Sequence, residues 1–218
     1  MLGEAISVTD CEVTRNRDGS DHLVRSAWFE VMYPARHAHS LPEAMRPFVL
    51  LEVGRARVEP AVRRPLSSWV HDHLDSISQL DDYTDNRPTS VRCVHPLVTC
   101  LEKLEAIARK YDKGRAAPDF VRHYEDAVHI VRERQNVRRL LDTGLAGLVT
   151  ALREEDRKVM PAPNHGSFNP DHSHRWVEIE AAWEAIGPMY WGDRVSLVDA
   201  MAELRLFLNE LAELEGNP

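Results

Sequence analysis

The apolar residues of this chain change their period partway along it, and that change limits the fold more than any other feature. Over residues 22–33, Leu23, Ala27, Phe29, Val31 and Tyr33 fall on alternate positions before Pro34, the spacing of a strand with one buried face. Residues 48–53 (FVLLEV) form a nearly continuous apolar run closed by Gly54, which predicts a more deeply buried strand. Residues 90–94 predict a short third strand, stopped at His95-Pro96 because the residue before a proline is pushed toward extended geometry. From Thr99 the period becomes helical. Thr99 and Glu102 stand three apart as a capping box, and Leu101, Leu104, Ala108 and Tyr111 recur on one face. Val121, Tyr124, Val128 and Val131 mark a second amphipathic helix that reads on through QNVRRLL. Further helices are expected over residues 145–152, 176–186 and 197–214. Residues 158–175 hold Pro161, Pro163, Gly166 and Pro170 without a period and predict a long loop. Strands followed by helices give an α+β class: an α/β region at residues 1–94 with a partial sheet, then a helical bundle at residues 95–218.

With 218 residues, 43% hydrophobic and 28% charged, the chain can bury a real core, and its composition excludes a disordered or fibrous protein. No apolar run approaches membrane-spanning length, and Glu4, Asp10 and Glu12 sit where a signal peptide would be basic, so a cytoplasmic protein with no membrane role is expected. Three cysteines, Cys11, Cys93 and Cys100, lack CxxC spacing and read as reduced thiols. The net charge of −8 disfavours a generic nucleic-acid binder, but it is unevenly laid out. Residues 71–86 hold five acids and no Lys or Arg, residues 87–139 hold 12 basic against 7 acidic, and residues 140–218 hold 6 against 14. A basic middle is either a solvated helical face or a surface for a phosphate-bearing ligand.

Several chemistries find no support. The pairs His37/His39, His71/His73 and His172/His174 have a spacing that chelates only on a strand, and none has a Cys or HExxH partner nearby. No GxSxG elbow, Walker A motif or strand-borne GxGxxG is present. The informative stretch is HPLVTCLEKLEAIARKYDKGRAAPDFVRHYEDAVHIV at residues 95–131. Lys103 lies two residues after Leu101, about 200 degrees round the wheel, and Asp126 lies two after Tyr124, so each flanks the buried stripe of its helix and can face a cleft. The plain alternative is a pair of surface charges partnered by Glu102 or Arg122.

HPLVTCLEKLEAIAR and RHYEDAVHIV resemble the paired signatures of nucleotidyltransferase-fold toxins of the AbiEii/AbiGii type, a P-x-x-T-x-x-EKL-x-A helix followed by an RH-x-x-D helix. The tail is similar too, with SFNP, a helix, WGDRVSLVDAM and FLNEL, so the likeness spans residues 29–211. The resemblance implies a toxin–antitoxin protein that transfers a nucleotide from a nucleoside triphosphate to an RNA acceptor such as a tRNA 3′ end, using Mg²⁺. Lys103 then matches the triphosphate-binding lysine and Asp126 the aspartate of the second motif, with Arg122 and His123 as nucleotide or structural contacts. Glu52 is either an extra strand carboxylate for the metal or a strand residue pointing to solvent.

The chain also departs from this family's pattern. The fold places a G-S turn roughly ten residues before a D-x-D strand, and no such element stands ahead of Phe29. Gly19-Ser20 is followed at that distance by Glu30-Val31-Met32, which offers one acid in place of two. Gly166-Ser167 before Glu178-Ile179-Glu180 has the spacing in a helical context and reads as coincidence. The sequence therefore leaves two functional classes open. One is a nucleotidyltransferase whose missing motif is supplied from elsewhere; the other is an inactive paralogue or protein-binding module that holds an antitoxin or other partner.

Overall fold

The computed structural model describes residues 12–16, 26–32, 48–54, 57–139, 141–171, 173–190 and 192–216. The chain divides into two compact units, residues 1–57 with 184–194, and residues 58–183 with 195–218. The class is α+β, as the change of period predicts.

The first unit carries an antiparallel sheet of β1 (Glu12–Asn16), β2 (Ser26–Met32) and β3 (Phe48–Gly54) in the order β1-β2-β3. β2 and β3 are the expected strands, in a register that sets Phe29 opposite Leu51 and Trp28 opposite Glu52. The deep burial expected of β3 is not found. Val49 is 57% exposed and Leu50 44%, because β3 is an edge of this sheet among the described residues, and an edge strand keeps an apolar sequence without cover on both faces. Gly19, Ser20, Cys11, His37, His39 and His172 lie outside the described residues.

The second unit opens with a two-stranded ribbon, β4 (Ala61–Arg64) against β5 (Val91–Val94), with Val62 opposite Cys93. β5 is the expected third strand, placed in its own ribbon. Between the two strands run α1 (Trp69–Ser76), capped by the Ser68 hydroxyl, and a 3-10 turn at Leu80–Asp82. α2 (Pro96–Asp112) begins ahead of the expected capping box. His95 is its N-cap: Nδ1 accepts the Leu97 N–H at 3.1 Å, and Pro96 occupies the first turn, where a missing N–H costs nothing. Thr99 and Glu102 are therefore interior, and Glu102 pairs with Lys158.

α3 (Arg122–Arg132) ends at Glu133, and α4 (Arg134–Arg138) follows after that break, so the long second helix of the sequence reading is two. α5 (Gly144–Glu155), α6 (His174–Ala185) and α7 (Leu197–Gly216) complete the bundle. The expected loop between α5 and α6 contains only a 3-10 turn at Gly166–Phe168. α2 packs on α3, and α3 on α7. Their fully buried stripes, including Leu97, Leu101, Leu104 and Ile107 with Tyr124, Val128, Leu204 and Leu208, supply the core. Cys100 lies in this interface, where burial pushes its thiol up to about 12.

Candidate functional site

α2 and α3 bring the two flank residues together. Lys103 Nζ donates to Asp126 Oδ2 at 2.6 Å across 23 residues of sequence, with the lysine 24% and the aspartate 41% exposed. Each projects from the edge of a stripe whose other members are buried, so the packing that hides Leu101 and Leu104 against Tyr124 and Val128 holds both charges at one rim. The partners that the plain alternative assigned are not used. Glu102 binds Lys158, and Arg122 is exposed and makes no side-chain hydrogen bond or ion pair among the described residues.

His123 stands one turn before Asp126 on α3, and its Nε2 lies 3.3 Å from Lys110 Nζ. An ammonium only donates, so Nε2 accepts and the ring proton sits on Nδ1. Burial, followed by the charges of Lys103, Lys110 and Arg122, lowers the His123 pKa to about 4 and keeps the ring neutral. Nδ1 is buried and has no hydrogen-bond partner among the described residues. Lys110 also donates to the Asp119 carbonyl at 2.7 Å, and burial lowers its pKa. Lys110 was missed in the sequence although a signal was present. It follows Lys103 by seven residues, which returns to the same face of a helix.

Glu52 lies exposed on β3 in the first unit. Among the described residues no three His, Cys, Asp or Glu side chains gather as a metal cage. Asp126 offers one hard carboxylate, which suits the mode in which Mg²⁺ takes one or two carboxylates and completes its shell with phosphate and water.

The arginines after the second motif do not form an open phosphate landing. Arg132 grips Glu203 with Nε and Nη2 at 3.0 and 2.7 Å, while Arg138 and Arg134 reach Glu210 at 2.5 and 3.8 Å. The packing of α3 and α4 with α7 turns the basic middle toward the acidic tail, so these charges satisfy one another inside the bundle.

One further cluster has the outline of a nucleophilic triad. His165 Nδ1 lies 2.9 Å from Ser167 Oγ, and Nε2 lies 3.2 Å from Asp112. Ser167 is fully buried, and His165 Nδ1 also accepts the Ser167 N–H, so the cluster caps the 3-10 turn and ties it to α2. Gly166 is required in that turn, because a Cβ would come within 3.2 Å of the Tyr111 ring.

Sheet-then-bundle architecture with a lysine and a carboxylate joined across successive helices defines an α+β protein equipped to handle a charged phosphate ligand. The family model for "Nucleotidyl transferase AbiEii toxin, Type IV TA system" matches residues 4–196, and the chain belongs to that family. The match begins well before Phe29, where the motif likeness starts, and ends just ahead of α7, so it does not extend to the likeness at residues 197–211. No curated protein and no solved structure matches the chain. No helix among the described residues is long and apolar enough to cross a membrane.

Proposed function

We propose that this member of the nucleotidyltransferase toxin family binds the triphosphate of a nucleoside triphosphate at Lys103 and Asp126 and transfers the nucleotide to an RNA acceptor such as a tRNA 3′ end. The observation that supports this reading is the 2.6 Å Lys103–Asp126 pair, because it joins the two motif residues of the family at one accessible rim. In the ligand-free pair each charge satisfies the other. When a nucleotide arrives, Lys103 exchanges its carboxylate for phosphate oxygens, and Asp126 is released to hold Mg²⁺ together with those phosphates. Mg²⁺ supplies charge neutralisation on the phosphates and on the leaving pyrophosphate. Neutral His123 offers its Nδ1 proton to a ligand oxygen, which satisfies a buried donor that otherwise has no partner among the described residues. In the transfer an acceptor hydroxyl oxygen bonds the α-phosphorus, the α–β phosphoanhydride bond breaks, pyrophosphate leaves and the hydroxyl proton passes to water. Arg122 and Glu52 are proposed as further nucleotide and metal contacts. Within a toxin–antitoxin family, an antitoxin is the expected partner.

The test measures binding of each labelled nucleoside triphosphate with Mg²⁺, then label transfer to bulk tRNA, in the wild type, Lys103→Ala and Asp126→Ala. The expected result is binding of at least one nucleotide, weakened roughly tenfold or more in both variants, with transfer lost alongside it. Both variants should lose less than about 1 kcal/mol of stability, because solvent screens a partly exposed pair. Unchanged binding in the variants, or none in the wild type, overturns the reading. Binding without transfer favours the inactive paralogue.

A further inference from the structure

A second group of cations collects at the C-terminal end of α2, and the nucleotide reading leaves it unused. Arg109, Lys110, Lys113 and Arg115, with Asp119 as the one carboxylate, line an open pocket of about 290 Å³. Arg109 is engaged by Glu105 at 2.8 Å, and Lys110 by the Asp119 carbonyl and His123. Lys113 and Arg115 are exposed and make no side-chain hydrogen bond or ion pair among the described residues. Arg122, Arg109 and Arg115 each add to the burial that lowers Lys110, so the local potential is positive in a chain whose net charge is −8.

The wall of this pocket is anchored. Gly114 turns the chain at φ 63°, and the N–H groups of Gly114 and Arg115 return to the carbonyls of Tyr111 and Lys110 at 3.0 Å each. From α6, the Arg175 guanidinium donates to the Arg115 carbonyl and lies 5.4 Å from the ring centroids of both Tyr111 and Phe120. A fixed backbone bearing an uncommitted guanidinium and an uncommitted ammonium presents a planar fork and a point charge, the combination that suits phosphate oxygens. Lys103 and Lys110 are seven residues apart, about 10 Å along the helix, a span of roughly three stacked nucleotides.

We propose that the pocket formed by Arg109, Lys113 and Arg115 binds a backbone phosphodiester of the RNA acceptor a few nucleotides from the Lys103–Asp126 pair. The proposal rests on the transfer reading for the identity of its ligand, while its geometry is independent of that pair. It is tested with the full chain and fluorescein-labelled tRNA by anisotropy over a series of KCl concentrations, comparing the wild type with Lys113→Glu/Arg115→Glu. The double reversal should weaken tRNA binding roughly tenfold or more and flatten the salt dependence by about two ions, one for each lost phosphate contact. Melting temperature and Mg²⁺-nucleotide binding should stay at wild-type values, since both side chains are exposed and unpaired. The proposal fails if the wild type does not bind tRNA or if the variant binds it equally well. It also fails if the variant loses nucleotide binding and keeps tRNA binding, which would make the pocket a mononucleotide site. Nucleotide binding unaffected by Lys103→Ala, beside a clear loss of tRNA binding in the double reversal, would sink the transfer reading alone.

Discussion

His123 shows how one buried ring records its neighbours. Its folded pKa of about 4 lies below the ordinary 6.5, with burial as the larger cause and three cations behind it. As pH falls, the unfolded chain takes up this proton first, so His123 makes stability decline from about pH 6.5 toward about 4 and level off below that. Urea unfolding at stepped pH should show this slope, and His123→Gln, which keeps a polar group but does not titrate, should make it shallower. The buried His95 ring is also lowered by desolvation and acts in the same direction, so part of the slope survives in the variant. An unchanged slope in His123→Gln would show that the ring is protonated in the folded protein. Of this site, the sequence showed the flank positions of Lys103 and Asp126, because two residues beyond a buried stripe is a fixed angle on a wheel. It did not show their pairing, which depends on how α2 and α3 are packed, nor the accepting role of His123, which depends on Lys110 reaching it.

At the level of elements, α2 is the most informative case. The periodic stripe located its body, but the capping-box pattern at Thr99 and Glu102 misplaced its start, because a histidine cap is not among the usual Ser, Thr, Asp and Asn signals. His95 takes the position because its two nitrogens do two jobs, accepting from Leu97 at 3.1 Å and contacting the Val137 carbonyl at 3.1 Å. His95→Ala removes a cap and leaves buried backbone groups unsatisfied, and should cost about 1–3 kcal/mol in chemical denaturation. His95→Asn should recover part of that loss by restoring the cap, and equal losses in both would show that the Val137 contact dominates. β4 and α1 were not legible because neither stands on a strong apolar period. β4 is a four-residue ribbon strand, and α1 buries no residue. β3 shows the converse: its apolar run located the strand correctly but misjudged its burial, since composition does not reveal which strand ends a sheet.

For the whole molecule, nearly all the buried apolar side chains among the described residues belong to the second unit, from Leu97 to Leu211. A fragment of residues 58–218 should therefore keep a helical circular-dichroism spectrum and unfold cooperatively. A fragment that is unfolded or melts without a transition would show that the first unit completes the core. Charge, too, is arranged over the whole chain. The excess of bases at residues 87–139 and of acids at residues 140–218 looked like two surfaces for outside partners, yet Arg132, Arg134 and Arg138 meet Glu203 and Glu210 of α7. Loss of the terminal helix, by a premature stop codon or a protease cut ahead of Glu203, would bare three guanidiniums at once. Such a remnant would be sticky toward any polyanion in a crude extract, and a gel shift obtained with a clipped preparation would be an artefact of damage.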